Sequence, residues 1–141
     1  MAAALAVASC SRLPVYSHYE SISTNGWNSN DSVTFTVIVK DSAAYSLKVG
    51  LRVNNHYPYT RIALTAHCRD AALLVDRTDT FSIDITDDRG QFIGHGTSIY
   101  QYDLSLPDVT LGNNDTLNVT IAHTMSQQPL QGVTDLGITL Q

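Results

Sequence analysis

Val33-Thr34-Phe35-Thr36-Val37-Ile38-Val39, followed after a polar turn at Lys40 to Ala43 by Tyr45, Leu47, Val49, Leu51 and Val53 at every second position, decides the fold. Successive side chains of an extended chain point to opposite faces, so apolar residues at alternate positions give one buried face and one wet one. Branched and aromatic types suit that pleated surface. Two such segments in succession predict two strands, sized to pair as a hairpin.

Further along the chain the same spacing returns. Asn54 to Tyr59 reads as a turn, because asparagine tolerates a left-handed backbone and Pro58 removes a ladder donor. Ile62, Leu64, Ala66 and Cys68 continue on one face. Arg69 to Asp79 is ambiguous, with Ala71 to Val75 readable as a short strand or one helical turn. Phe81, Ile83 and Ile85 alternate up to the reverse-turn signal Asp87-Asp88-Arg89-Gly90. After Gly94-His95-Gly96 come Tyr100, Tyr102, Leu104 and Leu106, closed by Pro107, and then Leu117, Val119 and Ile121. A loop from Met125 to Gly132 leads to Leu136, Ile138 and Leu140, whose wholly apolar even face places this strand inside a sheet. About seven to nine short strands without a sustained helical period predict an all-β chain, a single jelly-roll-like β-sandwich over residues 31–141.

The start of the chain reads differently. Val7-Ala8-Ser9-Cys10 has the small residues and the apolar residue three positions back that cleavage before a lipid-modified cysteine requires. The apolar run from Ala2 to Ala8 is far short of the ~20 residues of a membrane span. Residues 1–9 are therefore expected to be a signal-peptide remnant, although no Lys or Arg stands between Met1 and Cys10 where a secretory signal carries a basic region. Residues 10–30 show neither period and predict a lipid-anchored tether, joined to the membrane through Cys10 and docking on the domain through its aromatics. Two or three acyl chains, at ~0.8 kcal/mol per buried methylene, hold a protein on a bilayer where one chain does not.

Composition narrows the function. The chain has 141 residues, 8 basic against 13 acidic, two cysteines and a net charge of −5. That is enough for one domain with a real core. There is no basic stripe for nucleic acid, and Cys68 has no disulfide partner if Cys10 carries lipid. His18, His56, His67, His95 and His123 are scattered, and His67 and Cys68 point to opposite faces, so no metal set is expected. Gly94-His95-Gly96-Thr97-Ser98 has the wrong order for a serine nucleophile and reads as a turn. Asp84 faces solvent and Asp87 and Asp88 lie in a turn, which suits solvated acids better than calcium ligands or a glycosidase pair. No catalytic residue, metal or cofactor is expected. Trp27, Tyr57 and Tyr59 are candidate partner or ligand contacts. As exposed platforms beside a groove they would make the chain a lipid-anchored carbohydrate-binding module, whereas Tyr100 and Tyr102 share a face with Leu104 and Leu106 and read as core.

One resemblance spans nearly the whole chain. In order, it runs through the lipobox cysteine, Val15-Tyr16 and Tyr19, Trp27, Tyr57-Pro58-Tyr59, and Asp88-Arg89-Gly90-Gln91-Phe92-Ile93-Gly94-His95-Gly96. It closes with Pro129-Leu130-Gln131-Gly132-Val133-Thr134-Asp135-Leu136-Gly137. This succession resembles the gliding-motility lipoprotein GldH family, with Phe92 standing where tryptophan is expected. The resemblance implies a non-catalytic cell-envelope lipoprotein, a structural or assembly component of the gliding machinery and its associated secretion apparatus, with other envelope proteins as partners. It supplies no catalytic residues. Asp31-Ser32-Val33, Asp41-Ser42-Ala43 and Asp115-Thr116-Leu117 resemble acceptor sites for envelope O-glycosylation in such bacteria, which makes Ser32, Ser42 and Thr116 candidates. Ser11-Arg12-Leu13-Pro14 lacks the acidic residues of a surface-export signal, which favours the periplasmic face of the outer membrane.

Overall fold

The computed structural model describes residues 13–141. Cys10 and the signal-peptide reading of residues 1–9 lie outside the described residues. Among the described residues, alternating sequence becomes eight strands: β1 (Tyr16–Ser21), β2 (Val33–Ile38), β3 (Ala43–Asn54), β4 (Arg61–Asp70), β5 (Asp76–Asp84), β6 (Ile99–Leu111), β7 (Thr116–His123) and β8 (Val133–Leu140). They form two antiparallel sheets, ordered β1-β8-β3-β6 and β2-β7-β4-β5. Except for the hairpin β4–β5, each strand lies in the opposite sheet from the one before it, which is the winding of an eight-stranded jelly roll.

The core sits between the sheets. Leu47, Val49, Leu51 and Val53 of β3 and Leu136, Ile138 and Leu140 of β8 face Phe35, Val37, Ile62, Leu64, Leu117, Val119 and Ile121, all of them buried. Cys68, a free thiol, is packed among them. Burial pushes that thiol up, against Arg77, which lowers it, and with Asp79, which raises it, so it behaves as a small apolar group. The final strand does sit inside its sheet, between β1 and β3.

Four readings change. The predicted hairpin of β2 with β3 does not form: β2 pairs with β7 and β3 with β6 and β8, so Lys40 to Ser42 carries the chain from one sheet to the other. The segment read as a patternless tether contains β1, an edge strand on β8 with Tyr16 opposite Leu140 and Ser21 opposite Asp135. This edge strand buries no side chain fully, half-covering only Tyr16 and Tyr19, and so leaves no clean alternation. Pro107 does not end its strand. The register slips between Tyr45/Leu47 on β3 and Val109/Leu106 on β6, a bulge that accommodates a residue without an N–H, and β6 runs on to Leu111. Ala71 to Val75 is neither strand nor helix but the turn of the β4–β5 hairpin.

The winding sorts the connections onto two ends. The near end carries the β2–β3, β4–β5 and β6–β7 turns and the entry to β1, as the pairs Ala43–Leu111, Ile38–Thr116, Asp70–Leu117 and Tyr16–Leu140 require. The far end carries the β1–β2, β3–β4, β5–β6 and β7–β8 loops.

Candidate functional site

At the far end the β1–β2 and β7–β8 loops are laced together around Trp27. Its N–H donates to the Leu130 carbonyl and the Leu130 N–H donates back, both at 2.8 Å. The indole Nε1–H donates to the Asp31 carbonyl at 2.8 Å, and the ring meets the buried His123 edge-on with centroids 5.0 Å apart. His123 Nε2 donates to the Trp27 carbonyl at 2.7 Å while Nδ1 accepts from the Met125 N–H at 3.1 Å, which places the imidazole proton on Nε2. Gln128 adds two more bonds to Ser29. Trp27 is 2% exposed and pins the segment after β1 to the sandwich.

Tyr57 and Tyr59 meet edge-on at 5.9 Å, yet they face different surroundings. Tyr57 is 4% exposed, and its hydroxyl donates to the Arg61 carbonyl at 2.9 Å. Burial, with Tyr59 beside it, pushes that hydroxyl up. Tyr59 is 36% exposed. With two of the three rings buried, the flat sugar platform that the carbohydrate-binding alternative asks of Trp27, Tyr57 and Tyr59 is not built, because the indole and one phenol plug the end of the sandwich. Tyr102 is core, donating to the Ile85 carbonyl at 2.6 Å, and Tyr100 stacks on Phe92 at 4.4 Å.

The outer face of the β1-β8-β3-β6 sheet holds an arrangement that alternation does not announce. Tyr19 of β1 stands level with Gly137 of β8, which stands level with Gly50 of β3. Its ring lies across both glycines: a Cβ on Gly137 would fall 2.6 Å from ring carbons, and one on Gly50 would fall on the hydroxyl. Arg52 caps the ring with its guanidinium carbon 4.0 Å from the centroid, and Gln101 of β6 donates to the Tyr19 hydroxyl at 2.8 Å and accepts from Arg52 Nε at 2.9 Å. The one aromatic thus straps the edge strand across three neighbours. Gly50→Ala should displace the ring, a movable group, and lose one hydrogen bond and the cation contact, with partial return from the stiffer strand. The expected net loss is ~1 kcal/mol, read as roughly fivefold faster amide exchange confined to β1. Exchange unchanged in β1 would refute the strap.

Several of the ionisable groups are held in local bonds. Arg61 pairs with Asp84 at 2.9 Å beside a cleft of about 510 Å³ whose rim includes Asp87 and Asp88. Asp87 Oδ1 accepts the N–H groups of Arg89 and Gln91 and so closes the reverse turn. His18 is held by Glu20 and His67 by Asp76, each at 2.8 Å. Asp115, buried between the near-end turns, accepts from the N–H groups of Ala72, Gly112 and Thr116. Burial pushes its carboxyl up, but the hydrogen bond with Asp70 and these three amides together hold it below the ordinary aspartate range. Among the described residues no three His, Cys, Asp or Glu side chains come together as a metal set. No helix among them is long and apolar enough to cross a membrane.

The profile of the GldH lipoprotein family matches residues 14–140. The chain belongs to this family. It is 28% identical over 147 residues to the gliding motility lipoprotein GldH of Flavobacterium johnsoniae, covering 99% of this chain and 91% of that one. Solved structures are only distantly alike. The Eiger TNF of S. frugiperda aligns over 92% of this chain and 94% of its own at 11% identity and TM-score 0.37. The arabinose-bound α-L-arabinofuranosidase MgGH51 aligns over 78% of this chain and 17% of its own at 18% identity and TM-score 0.36.

Within this GldH-family chain, the quoted residues turn out to be largely architectural. Trp27, Tyr57 and the run from Pro129 to Gly137 build the far-end plug and the central strand β8. Sequence reading missed Tyr19, Arg52 and Gln101. The available signal was Gly50 inside an otherwise apolar and polar alternation, since an isolated glycine in a strand marks a close approach. It missed His123 as well, which reads as one more scattered histidine. Of the acceptor candidates, Ser32 and Ser42 are exposed in connections, whereas Thr116 is half-buried at the start of β7.

Proposed function

We propose that this chain is a non-catalytic lipoprotein that acts as a structural or assembly component of the gliding-motility machinery and its associated secretion apparatus. Acyl chains on Cys10 hold it at the periplasmic face of the outer membrane, and its partners are other envelope proteins. The observation that carries this reading is the family match over nearly the entire chain. The bonds that hold His18, His67, His123, Asp84, Asp87 and Asp115 within the fold are consistent with a part that works by position. Exposed Ser32 and Ser42 are the favoured glycan acceptors, with Thr116 third.

The test is crosslinking and pull-down from native membranes. Cys10-intact protein should fractionate with the outer membrane and bring down a reproducible set of envelope proteins. Cys10→Ser should leave the membrane and lose most of that set. A variant that keeps both membrane fractionation and partners would sink the anchor. Removal of the domain by protease from unpermeabilised cells would overturn the periplasmic placement. The intact mass of the same preparation reads the acyl chains and any sugar.

A further inference from the structure

Five of the eight large apolar side chains exposed among the described residues gather at the near end. They are Leu13 (88% exposed), Val15 (50%), Ile38 (74%), Leu73 (70%) and Leu74 (65%). The other three, Tyr59, Ile93 and Ile99, belong to the far end. Leu73 and Leu74 form the tip of the β4–β5 turn, and Leu74 leans toward the β6–β7 turn, its Cδ1 3.9 Å from where a Cβ on Gly112 would lie. Leu73 holds φ at 59°, a left-handed conformation that glycine or asparagine adopts more readily. Its side chain packs little within the domain, so a water-facing tip gains nothing from leucine there. A tip that faces an apolar phase does.

The chain itself says which phase. β1 enters at this end, Leu13 is three residues beyond Cys10, and Tyr16 is six beyond it. At ~3.3–3.6 Å per extended residue, the anchor lies within ~11 Å of Leu13 and ~20 Å of Tyr16. β3, at 12 residues, gives the sandwich a length of ~40 Å. An acylated Cys10 therefore holds the near end, and not the far end, against the bilayer.

We infer that Leu73 and Leu74, with Ile38, Leu13 and Val15 around them, insert into the lipid interface and stand the sandwich upright on its near end. This rests on the reading of Cys10 as acylated. Two leucines bind a bilayer weakly on their own. A tether of this length raises their effective concentration at the surface to the millimolar range, so weak insertion suffices to set the orientation. Among the described residues the cations of this end, Lys40, Arg69 and Arg77, stand among Asp41, Asp70, Asp76 and Asp79, and the chain carries a net charge of −5, so the contact is apolar and insensitive to salt.

The test uses the acylated full chain in vesicles of phosphatidylethanolamine and phosphatidylglycerol with brominated acyl chains. Trp27, the sole tryptophan, is buried at the far end and serves as the internal reference. The Leu74→Trp protein should show severalfold more quenching than the unsubstituted protein, equally at low and high salt. An Ile99→Trp protein, probing the far end, should match the unsubstituted one. A chain that floats with the vesicles while residue 74 stays unquenched overturns the tip and leaves the anchor standing, with a protein partner as the occupant of that surface. Equal quenching at residues 74 and 99 overturns the upright orientation. Quenching at 74 in protein whose mass shows no acyl chains upholds the tip and sinks the anchor. Absence of both flotation and quenching overturns both.

Discussion

Trp27→Ala is expected to lower the free energy of unfolding by ~3–5 kcal/mol, the usual range for truncating a buried aromatic side chain. The indole fills the space between two loops, donates to Asp31, and supplies the edge contact against which His123 is set. Alanine leaves a cavity that these loops cannot close, since Trp27 and Leu130 hold each other by reciprocal backbone bonds. Urea unfolding should show the midpoint falling with little change in slope. Trp27→Phe should recover most of the loss, missing chiefly the hydrogen bond to Asp31, worth ~0.5–1.5 kcal/mol. A loss below ~1 kcal/mol for the alanine variant would mean that the indole is not what holds the far end.

The second large effect belongs to Gly132, where the same added methyl group that Gly50 tolerates meets something that cannot move. Gly132 holds φ at 93°, its carbonyl accepts from the Asn54 N–H at 2.8 Å, and a Cβ there would fall 2.5 Å from the backbone N and Cα of Tyr57. A side-chain hydroxyl swings aside, but a backbone segment fixed by Tyr57 in the core does not. Gly132→Ala should therefore cost ~3 kcal/mol or more, from dihedral strain and overpacking together. Gly90→Ala separates the two causes: its φ is 78°, but nothing stands within 4 Å of the added carbon, so only strain of ~1 kcal/mol applies. Equal losses at 90 and 132 in thermal or urea unfolding would show that the approach to Tyr57 is unimportant.

The contrast between these glycines bears on how much of the molecule was legible from residues alone. Period-two alternation identifies β2, β3, β4, β6, β7, β8 and the latter part of β5, because each turns one mainly apolar face to the core, and the jelly-roll expectation follows from their number and spacing. It says nothing of which sheet a strand joins. The local pattern at Val33 to Val53 fits a hairpin and a sheet-crossing turn equally well, and long-range pairing decides. β1 escapes because an edge strand with His18 and Glu20 in it has no apolar face to advertise. Asp115 enters the sequence reading only within the Asp115-Thr116-Leu117 triplet, and only the convergence of the Ala72, Gly112 and Thr116 amides shows it to be a buried staple. Trp27, buried between two loops, leaves no exposed indole for a platform. Gly50 and Gly137 are visible in the sequence as lone glycines in strands. That both answer to Tyr19 requires the register of three strands.

That register has a consequence for how the molecule comes to exist. β8, the last strand of the described residues, lies between β1, the first of them, and β3. A chain delivered across a membrane N-terminus first presents β1 before the only strand that β1 pairs with has emerged. Until Val133 to Leu140 arrive, β1 stays unzipped and β3 lacks one of its two neighbours, while β6 is still able to pair. The β1-β8-β3-β6 sheet therefore closes last, whereas the β2-β7-β4-β5 sheet needs nothing from β8.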